Sequence, residues 1–453
     1  MIGFLRAITG HSRLRKTLTQ HFRGLSLGEI VTAGRDFPIT SRPDVQTALE
    51  QFFSGAPDSK LVGIHSQMTH ETPTLALLFG SGPFPTDLGP LQHDEVDVGD
   101  PTPARCLKNG LWLSRRDGFP FAVLLSPSLQ QMQVAGVHVE LGVPAGEQGA
   151  AFSQQFFRDL EVRVAAGRTY RGRVISLEAH MNYSGRGGAV KVHRLHTVNR
   201  EDVILPEKTL TLLDRNVGRF VAAREQIKSL RFSAKKGLLF HGAPGTGKTH
   251  TIHYLASQLP EHTTLLITAE QVGLLDEYFR LARFLQPAMM VIEDVDLIAR
   301  ERSGMHNACE EVLLNKLLNE MDGLREDADV LFILTTNRPD QLEPALASRP
   351  GRIDQAIEFP LPDEEGRRKL VRLYSRGLEV SDALMDLIVR RTKGASPAFI
   401  KELMRRSAQF QIEMGKSAVL EAAAVDGAIE EMVFLGGTLN LKLLGGALAT
   451  AAD

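Results

Sequence analysis

Apolar positions fall into two rhythms along this chain of 453 residues. Between residues 28 and about 200 they form short runs broken by turn residues, as where Leu111-Trp112-Leu113 and residues 121–125 flank the dipeptide Asp117-Gly118. Such punctuation predicts the strands of an α+β domain. Past Val203 the spacing lengthens. Leu210, Leu213, Val217, Phe220 and Val221 share one face of a helix whose first turn Pro206 suits. Four short apolar runs follow, at 237–241, 264–268, 289–292 and 330–335, with helical stretches between them. Strands buried on both faces of a parallel sheet read this way, so an α/β core is expected. From Glu364 through Glu413 the period is helical again, with Ser396-Pro397 as cap and first-turn pair of the last of these helices. The organisation predicted is an N-terminal α+β domain (1–202), an α/β core (203–362) and a helical C-terminal part (363–453).

A chain of this length exceeds what one hydrophobic core organises, which fits two or three domains. Lys and Arg number 52 against 54 Asp and Glu, a net charge of -2, so the basic excess of a protein that coats nucleic acid is missing. Cys106 and Cys309 stand far apart without metal-ligand spacing and read as reduced thiols of a cytoplasmic protein. No apolar run approaches the roughly 18 residues of a membrane span. Residues 1–27 carry Arg6, Arg13, Arg15, Lys16 and Arg23 without an acid; transit peptides share that composition, but a basic amphipathic helix leading into the first domain is the expectation. His180, His193 and His196 lack a consistent ligand spacing and read as surface histidines rather than a metal site. The acidic stretch 93–102 and the Gly-rich stretch 183–188 read as exposed loops.

The chemistry concentrates in the core. Gly242-Ala243-Pro244-Gly245-Thr246-Gly247-Lys248-Thr249 fills the pattern G-x-x-x-x-G-K-[ST] between an apolar strand and the start of a helix. Glycines let backbone N–H groups turn toward phosphate oxygens, and the helix N-terminus adds positive potential. Lys248 would reach the β- and γ-phosphates of ATP, and Thr249 would hold Mg²⁺. About 45 residues on, Met289-Met290-Val291-Ile292-Glu293-Asp294 is an apolar strand ending in two acids. In such sites one carboxylate sits near the metal and another orients and deprotonates the attacking water.

Further motifs, in order along the chain, resemble the AAA+ family of ATPases. Residues 331–339, ending Thr335-Thr336-Asn337-Arg338-Pro339, are similar to the strand of AAA proteins whose terminal Asn positions the lytic water, which implies that role for Asn337. Residues 343–354, with Arg349-Pro350-Gly351-Arg352-Ile353-Asp354, look like the segment whose two arginines reach the neighbouring subunit's γ-phosphate, here Arg349 and Arg352. Residues 311–324, ending Asn319-Glu320-Met321-Asp322-Gly323-Leu324, resemble the helix that precedes the strand. The resemblance covers about half the chain. It implies a P-loop AAA+ core with a parallel sheet and a helical lid, and a ring-forming ATPase of six or seven copies that remodels a protein partner. The N-terminal domain would then recognise that partner.

Three departures qualify this implication. Position by position Glu293 matches the metal-side acid and Asp294 the catalytic base, the reverse of the usual Asp-Glu order. The shorter base implies slow turnover. The same order, and the layout of 203–249, resemble the mitochondrial AAA proteins that help assemble respiratory complex III, although no transmembrane helix is evident here. Second, Ala269-Glu270-Gln271-Val272-Gly273-Leu274-Leu275 offers no aromatic pore loop, which argues against peptide threading unless Tyr278 or Phe279 lines the pore. Third, the lid reads Pro397-Ala398 where the family often has Gly-Ala, and no sensor-2 arginine stands out. The alternatives kept open are a nucleotide-binding scaffold with little hydrolysis and a nucleic-acid remodelling ATPase; a small-molecule kinase fits least.

Overall fold

The computed structural model describes residues 13–23, 25–56, 58–65, 72–79, 86–130, 133–182, 185–298, 317, 319–321, 323, 328–340, 352–415 and 418–435. The chain divides into two units: residues 1–171 with 175–193, and residues 172–174 with 194–453. Val198 to Asp202, assigned from sequence to the first domain, belong with the second unit because its residues hold them. Ser257 Oγ donates to the Val198 carbonyl at 3.3 Å, and Arg376 Nη2 to the Asp202 carboxylate at 2.7 Å.

The first unit is built on an antiparallel sheet. Its strands run Ile30–Pro38, Gln133–Pro144, Phe119–Gln130, Ala104–Arg116, Lys60–His65 and Asp87–Gly89 in spatial order. Asp117 (φ 53) and Gly118 (φ 80) are both left-handed, as a two-residue hairpin turn between right-twisted strands requires. Alternation along the strands feeds two faces. Leu111, Leu113 and Leu124 pack with Leu14, Leu18 and Phe22 of and beside the helix Arg13–His21, so the basic N-terminal helix is amphipathic and docked. On the other face Phe53, from the helix Arg42–Phe53, stacks on Trp112 with ring centroids 5.3 Å apart, and Phe52 meets Phe156 of the helix Glu147–Ala166.

Two stretches expected as loops contain strand. Gln92–Val96 pairs with Ala104–Arg116, because Asp94 is neutralised in place by Arg42 (2.8 Å) and Lys108 (3.1 Å). Gly185–His193 likewise runs as a strand. His193 Nε2 lies 2.7 Å from Ser176 Oγ, and Cys106 is buried; Cys309 lies outside the described residues.

In the second unit the four apolar runs become parallel strands β1 (Lys236–His241), β2 (Thr263–Ile267), β3 (Ala288–Ile292) and β4 (Val330–Thr336). A fifth, β5 (Gln355–Glu358), pairs parallel with β1 and was not foreseen. The order is β5-β1-β4-β3-β2. Every residue of β3 and β4 is buried, which explains their unbroken apolar character. The expected helix after Pro206 forms as α1 (Glu207–Leu213) and α2 (Arg219–Ser229), joined by one wide helical turn at Asp214–Gly218. Helix α3 (Lys248–Gln258) follows β1, and α4 (Leu275–Phe284) precedes β3. The C-terminal helices are α5 (Glu364–Tyr374), α6 (Asp382–Arg391), α7 (Pro397–Glu413) and α8 (Ala422–Glu430). They share a core around Ile388, Phe399, Leu403 and Val425. Ser396 caps α7, accepting from Phe399 N at 3.2 Å with Pro397 in the first turn. Among the described residues no helix is long and apolar enough to cross a membrane.

Candidate nucleotide site

Parallel sheets with helices on their faces place ligands at the carboxyl ends of the strands, and the residues singled out in the core converge there. The loop between β1 and α3 makes its turns with glycine. Gly242 (φ 152) lies so near β5 that a Cβ would sit 2.3 Å from the Phe359 carbonyl, and Gly247 (φ 98) enters α3 left-handed. A side chain at either position would displace the loop.

Lys248 is buried, and burial pulls its ammonium below the usual lysine range against the opposing pull of Asp294 and Asp296. Its Nζ donates to the carbonyls of Gly242 (2.8 Å) and Ala243 (3.1 Å) and to Asn337 Oδ1 (2.7 Å). The cation is thereby aimed at the centre of the loop. Thr246 Oγ1 donates to Ala243 O at 2.8 Å and stiffens the turn. Thr249 Oγ1 donates to Glu293 Oε1 at 2.7 Å. Two hard oxygens brought together beside a phosphate loop are the donor type that magnesium takes.

Asp294 follows β3 in the left-handed region, at φ 48. Its N–H donates to Thr335 Oγ1 at 2.9 Å, and its carboxylate accepts from Asn337 Nδ2 at 2.9 Å. Burial first, then the charge of Asp296, raises the Asp294 carboxyl above its ordinary range, opposed by Lys248 and Asn337. Asp296 is itself buried and accepts from Thr336 Oγ1 (2.8 Å) and Asn337 N (3.1 Å). It fixes the end of β4, and through it the Asn337 side chain that touches both Lys248 and Asp294.

These groups border a cavity of about 400 Å³. Pro244, Gly245, Thr246, Gly247, Lys248, Thr249, Asp294 and Asn337 line it; Gly242 and Ala243 contribute through their carbonyls, and Glu293 through Thr249. Of the opposite wall, sequence reasoning had singled out only the lid pair Pro397-Ala398. That wall consists of Asp202–Leu205, Leu370 and Tyr374 of α5, and Pro397, Ala398 and Lys401 of α7. Ala398 N donates to Gly245 O at 3.2 Å, and a Cβ on Gly245 would lie 2.8 Å from the Ala398 Cβ, so the variant Pro397-Ala398 pair rests on the phosphate loop itself. Asp202 ties the wall on two sides: its carboxylate holds Arg376, while its carbonyl lies 3.2 Å from His250 Nε2. A Ser-Pro cap signal was legible; the approach of α7 to the loop was not.

Arg352 is not at this cavity. Its carbonyl would lie 2.1 Å from a Cβ on Gly237, and Asp354 closes the same place by bonding Gly237 N through Oδ2 at 2.7 Å. That is the amino end of β1, five residues and about 16 Å of strand from Gly242. Arg349 lies outside the described residues. Tyr278 and Phe279, offered as possible pore residues, are fully buried, and Tyr278 OH donates to Leu266 O (3.0 Å) and Gln271 Oε1 (3.1 Å). Val272 and Leu274 are buried as well. The pore role for these aromatics is therefore withdrawn: the helix period they follow is that of a core face.

Comparison with known proteins agrees with this geometry. The profile of the ATPase family associated with various cellular activities (AAA) matches residues 238–361. The chain is 31% identical over 214 residues to the proteasome-activating nucleotidase of Methanothermobacter thermautotrophicus, covering 45% of this chain and 52% of that protein. With the namesake from Methanocaldococcus jannaschii it shares 32% over 234 residues, 49% of this chain and 54% of the relative. An ATP-dependent zinc metalloprotease FtsH of Mycoplasmopsis pulmonis is 34% identical over 210 residues, 44% of this chain and 29% of the relative. The chain thus spans about half the length of the nucleotidases it matches, and less of FtsH. With the loop, the paired acids, the Asn-terminated strand and the helical lid assembled around one cavity, the second unit carries an AAA ATPase domain over residues 238–361.

Proposed function

We propose that this chain is an ATP hydrolase that works as a ring of like subunits and acts on a protein partner, with the first unit as the recognition part. The observation carrying the proposal is the hydrogen-bonded chain Lys248–Asn337–Asp294, set beside Thr249–Glu293 at one cavity. A volume of about 400 Å³ falls within the roughly 300 to 1,000 Å³ of small-molecule sites. Loop N–H groups and the N-terminus of α3 receive phosphate oxygens. Thr249 and Glu293 would hold Mg²⁺, which supplies charge neutralisation at the phosphates. Asp294, with its raised carboxyl pKa, takes the proton of the attacking water while Asn337 fixes the direction of the carboxylate. Lys248 meets the charge developing on the transferred group.

The place of Arg352 supports the ring. An arginine at the amino edge of the sheet cannot serve its own phosphate loop at the carboxyl edge, but it can serve that of a next copy stacked head to tail. Six or seven copies would close such an arrangement. Burial of Val272, Leu274, Tyr278 and Phe279 supports work delivered through the first unit as a rigid-body movement rather than through a gripping pore loop.

The test is calorimetry and phosphate release on full-length protein. Lys248→Ala should abolish tight ATP binding, and Asp294→Asn should keep binding while losing hydrolysis. Unchanged ATP affinity in Lys248→Ala, or undiminished hydrolysis in Asp294→Asn, would overturn the assignment.

A further inference from the structure

Strand β3 stops pairing with β4 where the acids begin. The parallel register runs from Ala288 beside Val330 to Ile292 beside Leu334, and on the other side Glu293 N still donates to Ile267 O at 2.9 Å. The next N–H, that of Asp294, bonds a side chain instead: Thr335 Oγ1 accepts it at 2.9 Å. At this residue the chain turns into the left-handed region, at φ 48. A non-glycine residue is held there only where its surroundings impose it, and such positions gather at functional sites. Aspartate is among the few side chains enriched in that region.

Thr335 is well placed for this hold. It is 3% exposed, near the end of a strand buried along its whole length, and it borders the nucleotide cavity. Branching at Cβ leaves its side chain few rotamers, so the strand that carries the hydroxyl also fixes it. Successive strand side chains face opposite ways: Thr336 turns away from Thr335 and donates to Asp296 Oδ1 at 2.8 Å. The segment after β3 is thus tied to β4 at two places, and the tie at Thr335 falls on the base itself. Its loss would leave the half-buried Asp294 N–H without an acceptor, a penalty the backbone escapes only by leaving its present conformation. The Asp294 carboxylate would then leave Asn337 Nδ2, which it meets at 2.9 Å.

We infer that Thr335 is a positioning residue for hydrolysis: its hydroxyl holds Asp294 in the left-handed conformation from which an aspartate, rather than a longer acid, meets Asn337. The inference rests on the proposed reading of Asp294 as the base, and it gives the reversed order of the acid pair a structural reason. Acid length and backbone conformation form a matched set, and Thr335 is the part of that set carried on another strand. Phosphate and metal fall to other groups, Lys248, Thr249 and Glu293. The hydroxyl therefore acts on the chemical step and not on nucleotide binding.

The experiment uses full-length protein with Mg²⁺, reading phosphate release with ATP and calorimetric affinity with a slowly hydrolysed analogue. Thr335→Val, of the same shape, and Thr335→Ala, smaller, both lack the hydroxyl. Each should lose at least about tenfold in kcat, as expected when a reacting group is displaced by a fraction of an ångström. KM and affinity should stay at wild-type values. Thr335→Ser, which keeps the hydroxyl, should recover most of the rate. Wild-type kcat in either folded hydroxyl-free variant, or a serine variant as slow as the alanine one, would overturn the inference. A double-mutant cycle with Asp294→Glu supplies the second measurement. Freed from the left-handed turn, glutamate should be less harmful on the Thr335→Val background than on wild type; losses that simply multiply overturn the coupling. Undiminished hydrolysis in Asp294→Asn would bring down the reading of the base itself, and the inference with it, so the two failures are told apart.

Discussion

Exchanging Asp294 for glutamate is expected to slow the protein, although glutamate is the commoner base at that place in AAA proteins. Backbone geometry decides this. Asp294 sits at φ 48, where short polar side chains are enriched and longer ones are disfavoured by roughly 1–2 kcal/mol. Its carboxylate meets Asn337 Nδ2 at 2.9 Å while its own N–H is held by Thr335. One more methylene lengthens the reach by about 1.5 Å, enough to carry the oxygen past Asn337 or to force the backbone from its hydrogen bond. A misplacement of about 1 Å at a reacting group is worth on the order of 10²-fold in rate. Asp294→Glu should therefore lose about 1 kcal/mol of stability and about two orders of magnitude in turnover, with ATP affinity close to wild type. Thermal unfolding, calorimetry and phosphate release at saturating ATP measure the three quantities. Turnover equal to or above wild type would refute the reasoning: the carboxylate position would then not be set by the left-handed backbone, and the shorter acid would be a handicap, as the family pattern alone implies.

Two further outcomes follow from the same geometry. Because burial and the Asp296 charge both disfavour ionised Asp294, the base form is lost as pH falls through a value above the ordinary aspartate range of about 3.9. The acid limb of kcat should accordingly lie above that range, and Asp296→Asn should move it to lower pH by removing a negative neighbour; an unmoved limb in a folded variant refutes the coupling. Tyr278→Phe, which deletes only the hydroxyl bonded to Leu266 O and Gln271, should cost about 1 kcal/mol in chemical denaturation and leave partner remodelling intact. Remodelling lost without loss of fold would restore a pore role to this helix.

What the sequence disclosed, and what it withheld, divides on whether a feature is local. Strands β1 to β4 were legible because both faces are buried and every position is apolar; β5 was not, because Gln355–Glu358 is four residues long and exposes alternate side chains. The strand at Gln92–Val96 was hidden by its acids, of which Asp94 finds its neutralising partners, Arg42 and Lys108, outside its own segment of the chain. The phosphate loop, Glu293, Asp294 and Asn337 could be picked out because each ends a strand in a fixed motif. The facing wall could not, since Asp202–Leu205, Tyr374 and Lys401 meet the loop only through the fold. Tyr278 and Phe279 were ambiguous for a similar reason: a helix period tells which side an aromatic takes, not whether that side is core.

The two-sided tie at Asp202 has a kinetic meaning. One wall of the cavity is fastened to the lid by an ion pair whose arginine is two-thirds in water, and to α3 by a backbone carbonyl at His250. Solvent-exposed ion pairs weaken as counterions accumulate, over a screening distance of about 8 Å at physiological ionic strength. Swinging that wall aside thus meets a resistance set largely by the medium, in contrast to the lid's own dry apolar core around Phe399 and Leu403. Release of bound nucleotide through this side should therefore quicken as salt rises, with the thermal midpoint little changed, and Asp202→Asn should remove most of that salt dependence.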